Sequence, residues 1–441
     1  PQIKWRSCML NKFVIPNENM ELHLTPDGAE VYKKGISTGV INKEAADFFM
    51  SIDGTKTLNE IVEGLYFVKD QEDLENFLKF IEKAVSYGDI VLSERPVKVH
   101  LKVTGDINHY IPTHVMVELT YRCNLSCSHC YARYYRNNIE LGPKKWVEKL
   151  RMMKELGVRY VEFTGGEPLI KNGFVKILFY CLQNFHKVGI LTNGYSLKSE
   201  ILKIIKDYKD KVLANISLDS SDPDEHNKFR GRSDAFQKTV ATIRMLAEED
   251  IFVRVTMSVY EHNIERIEST LILAKEAGAK SFAWGPVFLF GKGKEFDTMS
   301  IPTSAKFIEK TEELSKKYKD FVAVLEGDKL ESIDYFGNCG LGWRSITLSP
   351  DGRVRACPFL RPSKDFVLGD IKRQLPLTVF QNKKIFLYRS LKAPDFEICG
   401  DCKYLVFCKG CVVRGLQMVK DKKVKCNWYR ANEEILECLF T

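Results

Sequence analysis

Three cysteines near residue 125 are the residues of this chain whose spacing most directly indicates chemistry. Cys123, Cys127 and Cys130 lie within eight residues, in the segment TYRCNLSCSHCY. Three thiolates can hold three irons of a [4Fe–4S] cluster and leave the fourth iron open to a substrate or cofactor. A structural zinc site is usually closed by a fourth Cys or His, and His129, one residue from Cys130, is badly placed to complete that tetrahedron. The spacing therefore favours an open iron–sulfur cluster over zinc.

A second group of cysteines lies between residues 339 and 426. Its members are Cys339, Cys357, Cys399, Cys402, Cys408, Cys411 and Cys426. Zinc knuckles and iron–sulfur domains both use such spacing, and because the first group already implies cluster chemistry, we expect two further clusters. Cys8, Cys181 and Cys438 remain as spare thiols. Cys181 lies in an apolar helical segment, so we expect a small buried hydrophobic side chain there.

The elements that must position the first cysteine group are strands and helices that alternate between about residues 113 and 320. The predicted strands are 115–119, 160–164, 188–192, 212–218, 252–259 and 280–287. The predicted helices include 144–156, 174–185, 196–208, 235–250 and 264–277. Strands joined by crossover helices form a parallel sheet, either a partial (β/α) barrel or an open doubly wound sheet. In both arrangements the cysteines follow the first strand.

The residues before this region predict a smaller α+β unit. Short strands are expected at 21–25, 29–32 and 89–92, and amphipathic helices at 42–51, 57–66 and 71–86. The mixed composition of residues 96–112 is typical of a linker, which we expect between this unit and the alternating region. The last part of the chain has little periodicity, so something other than a large apolar core must order it.

Composition excludes a small binding module and a disordered chain. The sequence has 441 residues, of which 44% are hydrophobic and 28% charged. A formal net charge of +8 is spread along the chain and does not demand a nucleic-acid partner. The N-terminus has no apolar signal region, and no apolar stretch is long enough to span a membrane. We therefore expect a cytoplasmic protein with reduced thiols, no membrane partner and no nucleic-acid partner.

The first cysteine group, together with Gly165, Gly166, Glu167 and Pro168 after the second strand, resembles the radical S-adenosylmethionine (SAM) superfamily. In that family the open iron chelates the amino and carboxylate groups of SAM, and the GGE segment contacts the amino group. Two glycines allow a close approach of the backbone, and Glu167 offers an anionic acceptor to an ammonium. The resemblance implies that these three residues bind the cofactor.

Four more residues are candidates for the cofactor site through the same resemblance. In related members the serine that ends the fourth strand touches the ribose, and a following arginine touches the SAM carboxylate; here these are Ser217 and Arg230. The alternative is that Asp219 caps the next helix and Arg230 is a surface charge. Asn193, which follows the third strand and could be only a turn residue, and His129 complete the candidate set.

The second cysteine group resembles the SPASM extension of radical SAM enzymes, which carries two auxiliary [4Fe–4S] clusters. In the usual pattern, three residues separate the last two cysteines of the central run. Here only two residues separate Cys408 from Cys411. The resemblance implies one auxiliary cluster on Cys399, Cys402, Cys408 and Cys426, and another, closer to the active site, on Cys339, Cys357 and Cys411. Seven thiolates for eight irons leave one position open. Cys8, Cys438 or a substrate thiolate could fill it.

Residues 41–62 resemble the winged-helix peptide-recognition element typified by the small carrier protein of pyrroloquinoline quinone biosynthesis. In that family the third strand and third helix capture a leader peptide by adding a strand to an exposed sheet edge. The third helix here would be 71–86. Alternatively, the unit only packs against the barrel or binds DNA, although Asp70, Glu72, Asp73 and Glu75 at the start of that helix argue against a phosphate-binding face.

Together these resemblances imply an α/β chain of three domains: a winged-helix-like leader-recognition domain (1–100), a partial (β/α)6 radical SAM barrel (113–320) and a Cys-rich SPASM domain (330–441). They imply SAM and three [4Fe–4S] clusters as cofactors. The implied family is the radical SAM/SPASM maturases of ribosomally synthesised peptides, of the sactipeptide, ranthipeptide or streptide type. Such an enzyme makes a thioether or a carbon–carbon crosslink, such as Lys–Trp, through a 5′-deoxyadenosyl radical, and takes electrons from an external flavodoxin- or ferredoxin-type donor.

Two other functions remain open from the sequence. An anaerobic sulfatase-maturing enzyme has the same two C-terminal domains, but it carries an Asp base where this chain has Pro358. A non-catalytic iron–sulfur redox sensor or carrier would need no SAM site, so the GGEP segment, Ser217 and Arg230 argue against it. No catalytic base can be named from the sequence.

Overall fold

A computed structural model describes residues 9–134, 139–288, 290–296, 304–322, 337–360, 366–422 and 426–440. These residues divide into two compact units. The first falls within residues 1–111 together with 155–157, and the second within residues 112–154 and 158–441. In the described ranges, no helix combines the length and the apolar character that a membrane crossing requires.

The first unit is built on a sheet in the order β4-β3-β2-β6, beside a separate pair of strands, β1 and β5. The strands are β1 (Phe13–Pro16), β2 (Met20–Thr25), β3 (Gly28–Lys33), β4 (Ile36–Ile41), β5 (Ile90–Ser93) and β6 (Lys102–Gly105). β2, β3 and β4 are antiparallel neighbours, whereas β6 runs parallel to β2. β6 lies inside the segment that we expected to be a linker, so that expectation was wrong for residues 102–105.

Helices of the first unit begin at side-chain caps that the sequence provides. They are α1 (Lys43–Ser51), α2 (Leu58–Val62) and α3 (Gln71–Ser86). Asn42 and Asp70 accept hydrogen bonds from backbone amides at the starts of α1 and α3, and Thr57 and Glu60 form a reciprocal capping box on α2. Phe48 of α1 packs edge-on against Phe77 of α3, with ring centroids 5.3 Å apart. The core of this unit therefore lies between α1, α3 and the sheet.

The second unit contains a row of parallel strands with helices between them, as the alternation predicted. The strands are β7 (His114–Thr120), β8 (Tyr160–Gly165), β9 (Lys187–Thr192), β10 (Val212–Ser217), β11 (Phe252–Val259) and β12 (Ser281–Pro286). The helices are α4 (Pro143–Leu156), α5 (Phe174–Asn184), α6 (Ser199–Asp207), α7 (Pro223–Arg230), α8 (Ala235–Glu248), α9 (Ile267–Glu276) and α10 (Ala305–Lys317). β7 and β12 lie apart in the sheet order, so the strands form a partial rather than a closed barrel.

The cysteine-rich part of the chain extends this sheet, which the sequence did not predict. β13 (Ser345–Leu348) pairs parallel with β7, and β14 (Arg353–Arg355) and β15 (Val367–Asp370) follow in antiparallel order. Short helices come next: α11 (Pro376–Phe380), α12 (Lys384–Ser390), α13 (Phe396–Cys399), α14 (Leu405–Cys408), α15 (Val412–Lys422), α16 (Asn427–Ala431) and α17 (Glu433–Phe440). The sheet thus joins the barrel and the C-terminal region directly.

Candidate active site

The loop after β7 carries the first cysteine group to the carboxyl ends of the parallel strands, where barrel enzymes build their sites. Cys123, Cys127 and Cys130 all line one cavity of about 200 Å³. The end of α7 fixes this loop, because the amides of Ser126 and Ser128 donate to the carbonyls of Arg230 and Phe229 at 3.1 and 2.9 Å. Burial raises the pKa of the Cys123 thiol to about 12.

Gly165 and Gly166 form part of the wall of the same cavity. Gly165 has a φ of +123°, and a Cβ on Gly166 would lie 2.1 Å from the carbonyl oxygen of Arg122. A side chain on Gly165 would collide with Thr120 at the end of β7, and one on Gly166 would collide with the start of the cysteine loop. The glycines therefore let the end of β8 pass directly beneath that loop.

Glu167 lies behind the cavity rather than in its wall. Its side chain is 1% exposed. One carboxylate oxygen accepts from the Thr192 hydroxyl at 2.8 Å and from the amide of Leu169 at 3.1 Å, and the other accepts from the amide of Asn193 at 2.8 Å. Burial raises its pKa to about 7, although these hydrogen bonds oppose the shift. The carboxylate thus ties the end of β9 to the GGEP turn.

Arg230 is buried and paired, which rules out the alternative of a surface charge. Its Nε donates to Asp219 Oδ2 at 2.5 Å, and its Nη1 lies 3.7 Å from Cys127 Sγ. The other Asp219 oxygen accepts from the amide of Ser258 at 3.0 Å. Asp219 does not cap α7, since the N-cap residue is Asp222. Arg230 and Ser217 both line the cysteine cavity.

His129 and Asn193 also line this cavity. The His129 ring stacks on Phe229 with centroids 4.3 Å apart, and its Nδ1 is buried without a hydrogen-bond partner in the described part of the protein. Burial and the Arg230 charge lower the pKa of His129 to about 4, so the ring is neutral. Asn193 Nδ2 donates to Asn124 Oδ1 at 2.9 Å and lies 3.6 Å from Cys123 Sγ.

A second cavity, of about 490 Å³, adjoins the first, and the two share His129, Tyr131, Thr164, Leu191 and Thr256. Cys339 and Cys411 lie in its wall, and Cys357 interacts electrostatically with both. Apolar residues at the end of β12 and just beyond it, including Phe288, supply part of the remaining wall. This cavity therefore lies between the first cysteine group and one half of the second.

The other half of the second group lines a separate cavity of about 480 Å³. Its thiols are Cys399, Cys402, Cys408 and Cys426. Cys402 is exposed and Cys408 is buried, so this cavity reaches the surface on one side. Across the described residues, no three His, Cys, Asp or Glu side chains are close enough to hold a single metal ion.

The spare thiols occupy other places. Cys181 is fully buried on the apolar face of α5, as expected. Cys438 is exposed on α17 and is not part of the wall that contains Cys339 and Cys411. Cys8, the other candidate ligand, lies outside the described residues.

Sequence comparisons agree with this geometry. The models of the radical SAM superfamily and of the SPASM iron–sulfur cluster-binding domain match residues 117–274 and 339–403. The subtilosin biosynthesis protein AlbA of Bacillus subtilis is 31% identical over 96% of this chain and 97% of its own length. The chain belongs to the radical SAM/SPASM family of peptide maturases. It is accordingly an enzyme that uses SAM and iron–sulfur clusters.

Two further relatives of the maturase cover most of its length. The sporulation killing factor maturation protein SkfB of B. subtilis is 26% identical over 80% of this chain and 85% of its own. The crystal structure of Streptococcus suis SuiB bound to the precursor peptide SuiA has a TM-score of 0.64, with 15% identity, 94% of this chain covered and 98% of that chain. At that identity the likeness to SuiB concerns the fold alone.

The residues of the maturase fit the cofactors of the family. Three thiols line one cavity, two glycines bring the backbone against it, and the buried Nδ1 of His129 offers a polar atom at its wall. A bound group with its own donors and acceptors would satisfy such an atom.

A buried ion pair between Glu118 of β7 and Arg355 of β14 was not predicted from the sequence. Both side chains are fully buried. A signal was present, because an acidic residue inside the apolar strand VMVELT requires a buried partner. The sequence does not reveal which of the many basic residues supplies that partner.

Proposed function

We propose that the maturase installs an intramolecular thioether crosslink in a ribosomally synthesised precursor peptide. The crosslink forms at the 490 Å³ cavity, between the first cysteine group and Cys339 and Cys411. A peptide cysteine supplies the sulfur, and the carbon partner is a residue without a positive charge. The charge of the cavity wall is the observation that favours a thioether over a Lys–Trp bond.

The cavity wall favours an anionic or neutral substrate group. Lys409 and Arg414 both line it, and Arg414 is 5% exposed, with its guanidinium 4.5 Å from the Phe288 ring centroid. None of the described residues in the wall carries a carboxylate. A lysine side chain placed there would be repelled by the buried Arg414 and, more weakly, by the exposed Lys409, whereas a thiolate would be attracted by them.

The cofactor site is assigned to the cavity that the first cysteine group lines. Cys123, Cys127 and Cys130 would ligate the SAM-binding cluster, and when bound, SAM and this cluster supply the radical chemistry. Of the candidate SAM-contacting residues, those in the wall are Gly165, Gly166, Ser217, Arg230, His129 and Asn193. Glu167 would act through them, because its carboxylate is already committed to Thr192, Leu169 and Asn193.

The two halves of the second group would hold two auxiliary clusters, which makes three [4Fe–4S] clusters in all. Electrostatic interactions join Cys357 to Cys339 and Cys411, and Cys399 to Cys402 and Cys426, as the family grouping predicts. Cys408 interacts with Cys411 as well as with Cys399 and Cys402, so it lies next to both sets. The inner set has three thiols, and Cys438 is not in the wall of its cavity. Cys8 lies outside the described residues. Our candidate for the remaining position is a peptide thiolate, which would bring the sulfur of the thioether to the cavity.

The first unit would bind the leader of the precursor. A groove of about 420 Å³ runs between the start of α1 and α3, with Phe67, Phe77 and Phe80 among its lining residues. Beside α1, β4 is an edge strand whose first four residues are exposed. An extended peptide could add to β4 and place apolar side chains in the groove. Glu44 and Asp73 at its rim fit a leader that carries a basic residue.

An external flavodoxin- or ferredoxin-type donor would supply the electrons. The exposed position of Cys402 brings the outer auxiliary site to the protein surface, where a carrier could approach.

The sulfatase-maturing alternative is less well supported. Pro358 lines the reaction cavity at the position where those enzymes have an acidic base, and a proline side chain cannot accept a proton. No described wall residue supplies a carboxylate in its place.

The test is anaerobic incubation of the reconstituted maturase with SAM, a strong reductant and the peptide encoded by a short open reading frame beside its gene. We expect 5′-deoxyadenosine, together with a peptide that has lost two hydrogens per crosslink and no longer reacts with a thiol reagent. Loss of hydrogens with every cysteine still free would overturn the thioether and favour a carbon–carbon bond. A formylglycine product would favour the sulfatase-maturing alternative.

A further inference from the structure

Tyr131 stands between the two cavities of the barrel. It lies directly after Cys130, and its side chain is in the wall of both the 200 Å³ cysteine cavity and the 490 Å³ cavity. His129, Thr164, Leu191 and Thr256 also line both cavities, so Tyr131 is one part of the partition at which the cavities adjoin.

The Tyr131 hydroxyl is held by the buried ion pair. It donates to Glu118 Oε1 at 3.1 Å, while the other Glu118 oxygen accepts from the Tyr121 hydroxyl at 2.8 Å and from Arg355. Arg355 is itself fixed, because its Nη1 donates to the carbonyl oxygens of Pro358 and Leu360 at 2.9 and 2.6 Å. A buried carboxylate with its partners satisfied has little freedom to move, so the hydroxyl has a fixed anchor.

The ring of Tyr131 is also supported from the side of the second cysteine group. Phe359 packs edge-on against it with centroids 5.3 Å apart, and Phe359 stacks in turn on Phe288 at 3.9 Å. The backbone has no room to shift, because a Cβ on Gly291 would lie 2.5 Å from the carbonyl oxygens of Cys130 and Tyr131. Ring, hydroxyl and backbone are thus held by three different segments of the chain.

We infer that Tyr131 is a positioning residue: its ring is an anchored part of the partition and sets where the peptide carbon can meet the SAM-derived radical. This inference rests on the proposed function, because it assigns the second cavity to the peptide. Hydrogen transfer needs the reacting atoms about 3–3.5 Å apart, and an error of about 1 Å can cost roughly a hundredfold in rate. A rigid side chain where the two cavities adjoin limits that error by restricting where the peptide carbon can approach.

The test compares Tyr131→Ala with Tyr131→Phe and measures crosslinks formed per 5′-deoxyadenosine released. Phe keeps the ring, so we expect coupling within about threefold of the wild type, whereas Ala removes the partition and should lower coupling by about tenfold or more. Both variants should still release 5′-deoxyadenosine, and adding SAM should still change the electron paramagnetic resonance spectrum of the reduced protein.

Three outcomes would overturn the inference. Wild-type coupling in Tyr131→Ala would show that no partition is needed. Loss of iron and of 5′-deoxyadenosine in that variant would make Tyr131 a structural residue only. Equal losses in both variants would assign the effect to the hydroxyl rather than to the ring.

A second readout separates this inference from the proposed function. A perdeuterated peptide transfers deuterium to 5′-deoxyadenosine whenever the radical reaches a peptide carbon, whether or not a crosslink follows. If the wild type transfers deuterium without crosslinking, the proposed function fails, and the inference survives only if Tyr131→Ala transfers at least tenfold less, a loss of the size expected for misplacement.

Discussion

Arg230 and Asp219 form a buried ion pair beside the first cysteine group, with Arg230 Nε 2.5 Å from Asp219 Oδ2. Burial alone would raise the pKa of Asp219, but the Arg230 charge holds it below its ordinary value. The same guanidinium lies against Cys127. The pair therefore links the cysteine loop to the ends of β10 and β11.

Breaking this pair should destabilise the fold. Arg230→Met leaves Asp219 buried and unpaired, and we expect the free energy of unfolding to fall by about 3–5 kcal/mol. Denaturant titration under anaerobic conditions measures the change. The double variant Asp219→Asn/Arg230→Met removes both charges and should recover much of the stability. A double variant as unstable as the single one would show that the charge imbalance is not the cause.

Removing the three cysteines of the first group should remove their iron without removing the iron of the second group. Replacing Cys123, Cys127 and Cys130 by Ala together should abolish 5′-deoxyadenosine and remove about one third of the iron, since one of three four-iron clusters is lost. Iron and sulfide analysis of the anaerobic protein measures this. Cys438→Ser is the matched control and should keep the full iron content. Complete iron loss in the triple variant would contradict independent auxiliary sites.

His226 should make the stability of the enzyme fall at mildly acidic pH. Its Nδ1 accepts from the amide of Asp219 at 3.2 Å, and burial lowers its pKa to about 4, despite the opposing charge of Asp219. Because this folded-state pKa lies below the unfolded value of about 6.5, its contribution is complete above that value and is lost as the pH falls toward 4. We expect a loss of about 1.4 kcal/mol per pH unit in this window.

Denaturant titrations at several pH values between 5 and 6.5 check this prediction. His226→Gln does not titrate, so the dependence of stability on pH should become shallower. It should not vanish, because burial also lowers the pKa of His129 to about 4. An unchanged slope in His226→Gln would contradict the assignment.

The groove on the first unit should be sensitive to added positive charge. Asn76 of α3 lies in the groove wall and is exposed. Asn76→Lys should weaken binding of a fluorescent leader peptide by about tenfold, because the lysine both fills the groove and repels a basic leader residue. Fluorescence anisotropy measures the affinity. Gln71→Lys, on the same helix but outside the groove wall, should bind as the wild type does. Equal losses in both variants would point to a general charge effect.

The sequence predicted those features of the protein that depend on residues close together in the chain. The parallel strands β7–β12 are apolar runs separated by amphipathic helices, so their period and length identify them. The spacing of the cysteines predicted the radical SAM and SPASM regions, which the family models match at residues 117–274 and 339–403. β4 was missed because its first four residues are exposed and ISTGVI shows no apolar alternation, and β6 was missed because it lies in a segment of mixed composition.

The remaining features depend on contacts between distant parts of the chain. Glu118 and Arg355 are 237 residues apart, and the sequence around either residue gives no indication that the other is its partner. Glu167 was expected to face the cofactor, but its hydrogen bonds to Thr192 and Asn193 become visible only when β8 and β9 lie side by side. Tertiary packing decides such roles, and local patterns do not.

β13 gives β7 its second neighbour in the sheet, with Ile346 opposite Val115. Cutting the chain after α10 would strip that neighbour away and expose a row of unpaired backbone groups on the strand that leads into the first cysteines. Such a bare edge invites pairing with other molecules. The stretch that matches the radical SAM superfamily should therefore not be stable as an independent fragment. We expect a fragment that ends after α10 to aggregate, whereas one that retains the residues through β15 should remain in solution.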